Sequence, residues 1–381
     1  MNASHESSSP VASGLYQSRW ETASARIAAI GGDGVVVRGG SDLVYLTGYH
    51  ASSMERITAF VATPGSEIPA TPQMFVPKIE VPLVPEQPNV YSVTGWDDDE
   101  DPVQLIAQAL GDARKVLVSD ELWAVHLLGL QRLMPNTEFV SFSDSLGGLR
   151  SVKNDDEMLA IQTVGGLANQ VAASLQNGDI PLVGRSEKEI AADISQRLRD
   201  VGHETVEFCI VASGPNSASP HHHPTDRIVQ AGEMVLCDFG GKHKGYCSDI
   251  TRCVWTGPIP DDVAATWDTL KKAQQAAVDA ARPGATLGDV DAAARDVIAD
   301  AGFGDHFIHR TGHGIGTEVH EQPYVKSGND EVVVEGHAFS IEPGIYISGQ
   351  WGMRLEDIVV ISDSGAIRCS TTNHNIVSVS S

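Results

Sequence analysis

The sequence predicts an α+β chain of two domains, a smaller α/β domain over residues 14–150 and a larger one over 151–381. Three observations carry this. At 381 residues the chain exceeds one average domain and suits two. In the first part short apolar runs alternate with amphipathic stretches, the pattern of strands layered with helices. After Asn154 one order of elements, helix, helix, loop, hairpin, occurs twice.

Residues 1–13 are Ser-rich and polar, with no basic-then-apolar run, and read as a disordered tail and not as a signal peptide. From Gly14 to Ile30 the apolar spacing of Leu15, Trp20, Ala23, Ile27 and Ile30 predicts a helix, stopped by Gly31-Gly32. Val35–Val37, Leu43–Leu46 and Ile57–Ala62 read as strands, with a turn at Pro64-Gly65. Pro72 to Pro88 reads as an irregular connector. Then come a helix over Pro102–Leu110, a strand over Lys115–Val118, a helix over Glu121–Leu133 and a strand over Thr137–Phe142. The domain ends near Gly147-Gly148, and the acidic run Trp96 to Asp101 reads as a solvated loop.

In the second part Asp155–Leu175 is helical, and Ser186–Val201 opens on a capping box. A strand over Thr205–Ala212, a loop to Pro224 and a hairpin of Glu233–Asp238 with Tyr246–Trp255 follow. Helices over Asp261–Ala281 and Thr286–Ala301, a Gly/His-rich stretch and a strand pair of Gly336–Glu342 with Gly352–Ile361 repeat that order.

Composition narrows the partners. With 50 acidic against 26 basic residues, the net charge of -24 argues against nucleic acid or an anionic membrane surface, since both need a basic footprint. No apolar run approaches the ~18 residues that cross a bilayer. Cys209, Cys237, Cys247, Cys253 and Cys369 form an odd set without a CxxC pair, which fits buried thiols in a reducing compartment. A cytoplasmic protein is expected.

Each hairpin carries two carboxylates. Partners across a hairpin have position numbers of constant sum. A first hairpin centred between His243 and Lys244 would set Asp238 opposite Asp249; a second centred on Gly349 would set Glu342 opposite Glu356. Directly opposite residues have Cβ atoms about 4.5–5.5 Å apart, a costly arrangement for like charges unless a cation lies between them. Arg354, two residues before Glu356, shares its face and can orient a carboxylate or receive substrate. Thr251 holds the matching place beside Asp249. Among the histidines, His313 lies between glycines that allow close backbone approach and is the better ligand candidate than His309. His320 and one of His221-His222-His223 are candidates to donate beside the centre. Several carboxylates with a single imidazole and no thiolate suit Mn, Co, Fe or Zn in pairs. Two such ions about 3.5–4 Å apart can hold a bridging hydroxide and polarise a carbonyl, the logic of an amide hydrolase.

With those residues in place, the chain resembles the pita-bread metallopeptidases, which include prolidase, Xaa-Pro aminopeptidase and methionine aminopeptidase. The resemblance runs through Cys237-Asp238-Phe239-Gly240, Ser248-Asp249-Ile250-Thr251-Arg252, His309 to Gly316, Val319-His320-Glu321, Ile341 to Tyr346 and Arg354 to Asp357. Tyr45-Leu46-Thr47-Gly48-Tyr49 is similar to the creatinase-type N-terminal domain of the prolidase branch, which methionine aminopeptidases lack.

The resemblance implies a pita-bread catalytic domain around two divalent ions, Mn favoured over Co, Zn and Fe. Asp238, Asp249, His313, Glu342 and Glu356 would be the ligands, with Asp249 and Glu356 bridging. Pro220-His221 matches the family's Pro-His, so His221 and His320 would contact substrate or the tetrahedral oxyanion, and His309 would line the prolyl side. Glu342 would also move a proton to the leaving nitrogen, and Arg354 would fill the place of the arginine found in prolyl-specific members. The implied activity is cleavage of the Xaa-Pro bond of dipeptides or short peptides, and the implied assembly is a homodimer. A hydrolase of a small non-peptide amide on the same fold, as in ectoine hydrolase or creatinase, is the alternative, although creatinase works without metal and departs from these ligands. A non-catalytic binding protein is the third reading.

Overall fold

The computed structural model describes residues 10–379 apart from 52–53, 65–70 and 147, and the chain divides into two compact units between Leu149 and Arg150. Most of the expected tail and Gly65 of the expected turn lie outside the described residues.

The first unit is built on a six-stranded mixed sheet: β1 (Gly34–Arg38), β2 (Ala59–Ala62), β3 (Gln73–Pro77), β4 (Ser92–Trp96), β5 (Lys115–Val118) and β6 (Glu138–Ser141), in the order β4-β3-β2-β1-β5-β6. Helices α1 (Pro10–Ala29) and α2 (Ser41–Thr47) cover one face, α3 (Pro102–Leu110) and α4 (Ala124–Leu133) the other. Burial on both faces explains the unbroken Val35-Val36-Val37: Val35 and Val37 pack with Ile27 and Leu43, Val36 with Ile106 and Leu110.

Three expectations are corrected here. Leu43–Leu46 is helix and not strand: Leu43, Tyr45, Leu46 and Thr47 are buried, and Gly48 closes the helix in a left-handed cap at φ 70°. A short apolar run does not by itself separate a buried strand from a buried helix turn. The stretch from Pro72 to Pro88 contains β3, whose prolines flank or end the strand and do not interrupt it. Helix α1 begins at Pro10, so residues 10–13 belong to it and not to a tail; proline suits a first helical turn because its missing N–H would have no partner there.

The second unit holds α7 (Asp155–Gln176) and α8 (Glu187–Asp200), reached through the short helices α5 (Phe142–Leu146) and α6 (Gly148–Ser151). Then come β7 (Thr205–Ser213), β8 (Met234–His243), β9 (Tyr246–Cys247), β10 (Ile250–Thr256), α9 (Asp261–Ala280) and α10 (Leu287–Asp300). Strands β11 (Gly312–Gly314), β12 (Glu321–Val325), β13 (Ala338–Ile341), β14 (Gly344–Ile347), β15 (Trp351–Arg354), β16 (Asp357–Ser362), β17 (Gly365–Arg368) and β18 (Val377–Val379) complete it. Capping boxes start α7 at Asn154, α8 at Ser186 and α10 at Thr286, each satisfying two backbone donors locally.

One sheet runs β18-β10-β8-β7, a second β12-β11-β13-β16-β17, and β14 pairs with β15. On β8 the odd residues Val235, Cys237 and Phe239 pack beneath α7 and α8, while Met234 and Leu236 join the core of α9 and α10. Alternation therefore places Asp238 on the Leu236 face. The two sheets are stitched where the acidic strands meet: Glu356 N donates to Thr251 O, and the fully buried Arg252 guanidinium donates to the carbonyls of Thr251 and Glu356.

Candidate metal centre

Turn chemistry sets the register of the first hairpin. Lys244 and Gly245 have φ values of 49° and 81°, the two positive angles that a two-residue hairpin turn of the primed type needs. The turn is thus centred between Lys244 and Gly245, one residue beyond the expected centre, and Asp238 pairs with Thr251 and not with Asp249. Moving the centre by one residue moves every pairing by two, and two is the period of a strand. Asp238 and Asp249 accordingly remain on one face, as diagonal and not direct neighbours. In the second hairpin Gly344↔Arg354 and Ile341↔Asp357 keep a single register about Gly349, which sets Glu342 and Glu356 opposite each other.

The folding brings the sequence candidates into overlapping groups whose ligand atoms lie within 4.8 Å of one another: Asp238, Asp249 and Glu356; His313, Glu342 and Glu356; Asp249, His313 and His320. His313 enters on β11. Its Nδ1 is 3.1 Å from Gly314 O, and because a carbonyl only accepts, Nδ1 carries the proton and Nε2 turns its lone pair inward. That nitrogen lies 3.3 Å from Glu342 Oε1 and 3.5 Å from Asp249 Oδ2. Burial, with His320 adding, holds His313 well below the usual histidine range, so it is neutral. Burial raises Asp249 and Glu356 well above the carboxylate range, each reinforced by its acidic neighbours, and pushes Glu342 up to about 7.

Two buried oxygens, Asp238 Oδ1 and Asp249 Oδ1, have no hydrogen-bond partner. Unpaired carboxylate oxygens in a buried cluster are expensive unless a cation meets them. Together with the lone pair of His313 they make a donor set that fits divalent metal.

Arg354 is the cation built into the cluster. Nη2 donates to Asp238 Oδ2 at 2.5 Å, Nε to Thr251 Oγ1 at 3.0 Å and Nη1 to Tyr346 Oη at 2.8 Å. Thr251 Oγ1 in turn donates to Glu356 Oε2 at 2.6 Å. Thr251, placed by the sequence beside Asp249, thus serves Glu356 instead. Ser340, two residues before Glu342 and on its face, donates to Glu342 Oε1 and accepts from His313 N.

The remaining histidines divide by geometry. His309 Nδ1 lies 2.7 Å from Arg310 O and so bears the proton, leaving Nε2 to accept from Tyr346 Oη at 2.9 Å. Both ring nitrogens are engaged, and burial lowers His309 to about 4. His320 stacks at a tilt on His313, ring centroids 3.9 Å apart. Of the triple, His222 turns inward to Glu187 at 2.8 Å, while His221 is exposed and near enough to lower both His309 and His320 electrostatically.

Tyr346, Ser340 and Arg310 are participants that sequence reasoning did not single out. Arg310 Cζ lies over the Tyr324 ring, 4.5 Å from its centroid, and its charge is felt at His313, His320 and Glu342. Strand parity points to Ser340, but no sequence signal points to Arg310.

Comparison with known proteins follows the same division. The family model for metallopeptidase family M24 matches residues 160–363, and that for the creatinase/prolidase N-terminal domain matches residues 19–152. A probable dipeptidase PepE of Mycobacterium tuberculosis is 41% identical over 370 residues, 96% of this chain and 97% of its own. A Xaa-Pro dipeptidase of Lactobacillus helveticus is 39% identical over 333 residues, 84% of this chain and 88% of its own. The crystal structure of dipeptidase PepE from Mycobacterium ulcerans aligns with a TM-score of 0.91 at 42% identity, covering 97% of this chain and 99% of that one.

Proposed function

The chain belongs to metallopeptidase family M24, and we propose that within it the protein cleaves the Xaa-Pro bond of dipeptides or short peptides. The observation that carries this is the buried group of Asp238, Asp249, His313, Glu342 and Glu356, with two carboxylate oxygens left without donors. These five residues would hold two divalent ions. An oxygen-rich set with one imidazole favours Mn. When bound, such ions supply a Lewis acid for the scissile carbonyl and lower the pKa of water.

The protein's own groups do the rest. Glu342, its Oε1 held by Ser340, would take a proton on Oε2 and return it to the leaving prolyl nitrogen. His320 and exposed His221 would donate to the oxyanion or to substrate. His309, with both nitrogens occupied, would line the prolyl side with its ring and serve as neither base nor donor. Arg354 would orient Asp238 and, through Thr251, Glu356. Arg310 gives a carboxylate of the substrate a counter-charge, which favours dipeptides over longer chains.

A homodimer is proposed from the exposed Val125 and Leu128 of α4, to be checked by light scattering. A cytoplasmic site of action is proposed from the five free thiols. No described helix is long and apolar enough to cross a membrane.

The test is hydrolysis of Gly-Pro, Ala-Pro and a Xaa-Pro tripeptide by chelated protein reloaded with Mn, Co or Zn. Turnover of a dipeptide with at least one metal, lost in Asp249→Asn, is expected; no turnover with any metal would refute the proposal.

A further inference from the structure

Glu187 stands apart from the other acidic residues. It is the first residue of α8, directly after the cap Ser186, and the capping box there is already completed by Glu189. A glutamate in a first helical turn ordinarily faces solvent, yet Glu187 is fully buried, at 0% exposure. An isolated buried carboxylate costs several kcal/mol unless hydrogen bonds satisfy it.

They do. Oε1 accepts from Ser213 N at 2.8 Å, Ser213 Oγ at 2.8 Å and Asn216 Nδ2 at 3.0 Å. Oε2 accepts from His222 Nε2 at 2.8 Å, Thr225 N at 3.0 Å and Thr225 Oγ1 at 2.7 Å. All of these donors belong to one segment, Ser213 to Thr225, and none is a lysine or arginine.

The same segment is also held by β15. Gly352 N donates to Ser217 Oγ at 2.8 Å, and a Cβ on Gly352 would lie 2.2 Å from Ser217 O, so the two backbones meet in contact. Arg354 Nη1 donates to Pro220 O at 3.3 Å. His221 therefore has both chain neighbours tied, Pro220 to the arginine of the metal centre and His222 to Glu187, while its own ring stays exposed.

We propose that Glu187 is a positioning residue for the peptidase reaction: its carboxylate clamps the Ser213–Thr225 segment through His222 and Thr225 so that His221 faces the reacting carbonyl. The proposal rests on the role given above to His221. It also accounts for the histidine triple, in which His222 is the anchor and His221 the working member.

Glu187→Gln keeps the size but puts an amide NH2 where two acceptor lone pairs meet donors. Misplacement by about 1 Å is worth up to 10²-fold in rate, so kcat/KM on Gly-Pro should fall on the order of 10–100-fold. A merely structural role would lower activity in proportion to folded protein and add to any other lesion. A positioning role predicts instead that Glu187→Gln combined with His221→Ala is no worse than His221→Ala alone. It also predicts unchanged Mn affinity by calorimetry in the metal-depleted protein. Hydrogen exchange should be faster at the amides of Ser213 and Thr225, with α9 and α10 unaffected. Should Glu187→Gln fold poorly, His222→Gln, which keeps an N–H donor, should retain activity where His222→Phe loses it. An additive double mutant, or an active His222→Phe, overturns the inference while an impaired His221→Ala leaves the site reading standing. Full activity of His221→Ala overturns both.

Discussion

Loading the centre with a divalent cation should stabilise the protein by an amount that grows with pH. In the metal-free protein burial pushes Glu342 up to about 7, and burial with mutual repulsion lifts Asp249 and Glu356 well above the carboxylate range. A carboxylate raised in the folded state holds a proton that the unfolded chain has lost. It therefore erodes stability as pH climbs from the unfolded pKa, roughly 4.3, towards the folded one. A cation needs these groups ionised and expels their protons, so each proton released adds about 1.4 kcal/mol of metal-linked stability per pH unit below the folded pKa. For Glu342 alone that is ~2 kcal/mol between pH 5 and 7. Buried histidines away from the centre work in the opposite direction: His337, lowered to about 4 by burial, destabilises the fold as pH falls. They act equally on both forms and cancel in the difference. The assay is urea unfolding at pH 5, 6, 7 and 8, metal-depleted against a fixed free Mn concentration. A difference that stays flat or shrinks with rising pH would refute the reasoning.

Three further outcomes follow from named contacts. Thr251→Val removes the hydroxyl between Arg354 and Glu356 and should weaken Mn binding about 10–100-fold by titration calorimetry, with Thr251→Ser restoring it. Arg310→Met should raise KM for Gly-Pro about tenfold, near 1.4 kcal/mol, with kcat changed much less; an unchanged KM would remove Arg310 from substrate binding. Arg252→Met takes the donor from Asp357 Oδ1, 2.6 Å away, while Gln274, Arg368 and His374 stay on Oδ2, and should cost about 1–3 kcal/mol in urea unfolding.

Local signals were legible in the letters. Asn154 with Glu157, and Ser186 with Glu189, announce helix starts because both partners of the capping box lie within one turn. The face shared by the acidic residues was legible too, since strand period depends only on spacing. The register of the second hairpin was legible as well, but that of the first was not: it hangs on Lys244, a residue in a left-handed conformation that nothing in its side chain announces. Leu43–Leu46 misled for a related reason, because only the buried surroundings decide between helix and strand. Least legible were the long-range ties. The Asp357 carboxylate gathers Arg252, Gln274, Arg368 and His374 from four distant places, and no local pattern predicts such convergence.

Burial alone does not separate a ligand carboxylate from a structural one, since Glu187, Asp357, Asp249 and Glu356 are all buried. The donors around them do. Glu187 and Asp357 have hydrogen-bond or ionic partners on both oxygens and are held at low pKa, Glu187 at about 2, despite burial. Asp249 has an oxygen with no partner; the repulsion of Glu356, Asp238 and Glu342 outweighs the attraction of Arg354, and the neutral imidazole beside it offers a lone pair where a donor would be needed. A fold that supplies six donors to Glu187 and none to Asp249 Oδ1 has left that oxygen for something other than a hydrogen bond. The distinction predicts opposite responses to neutralisation: Asp249→Asn should stabilise the metal-free protein while abolishing turnover, whereas Glu187→Gln should destabilise it with or without metal. If urea midpoints of the metal-depleted proteins move in the same direction for both variants, the distinction fails.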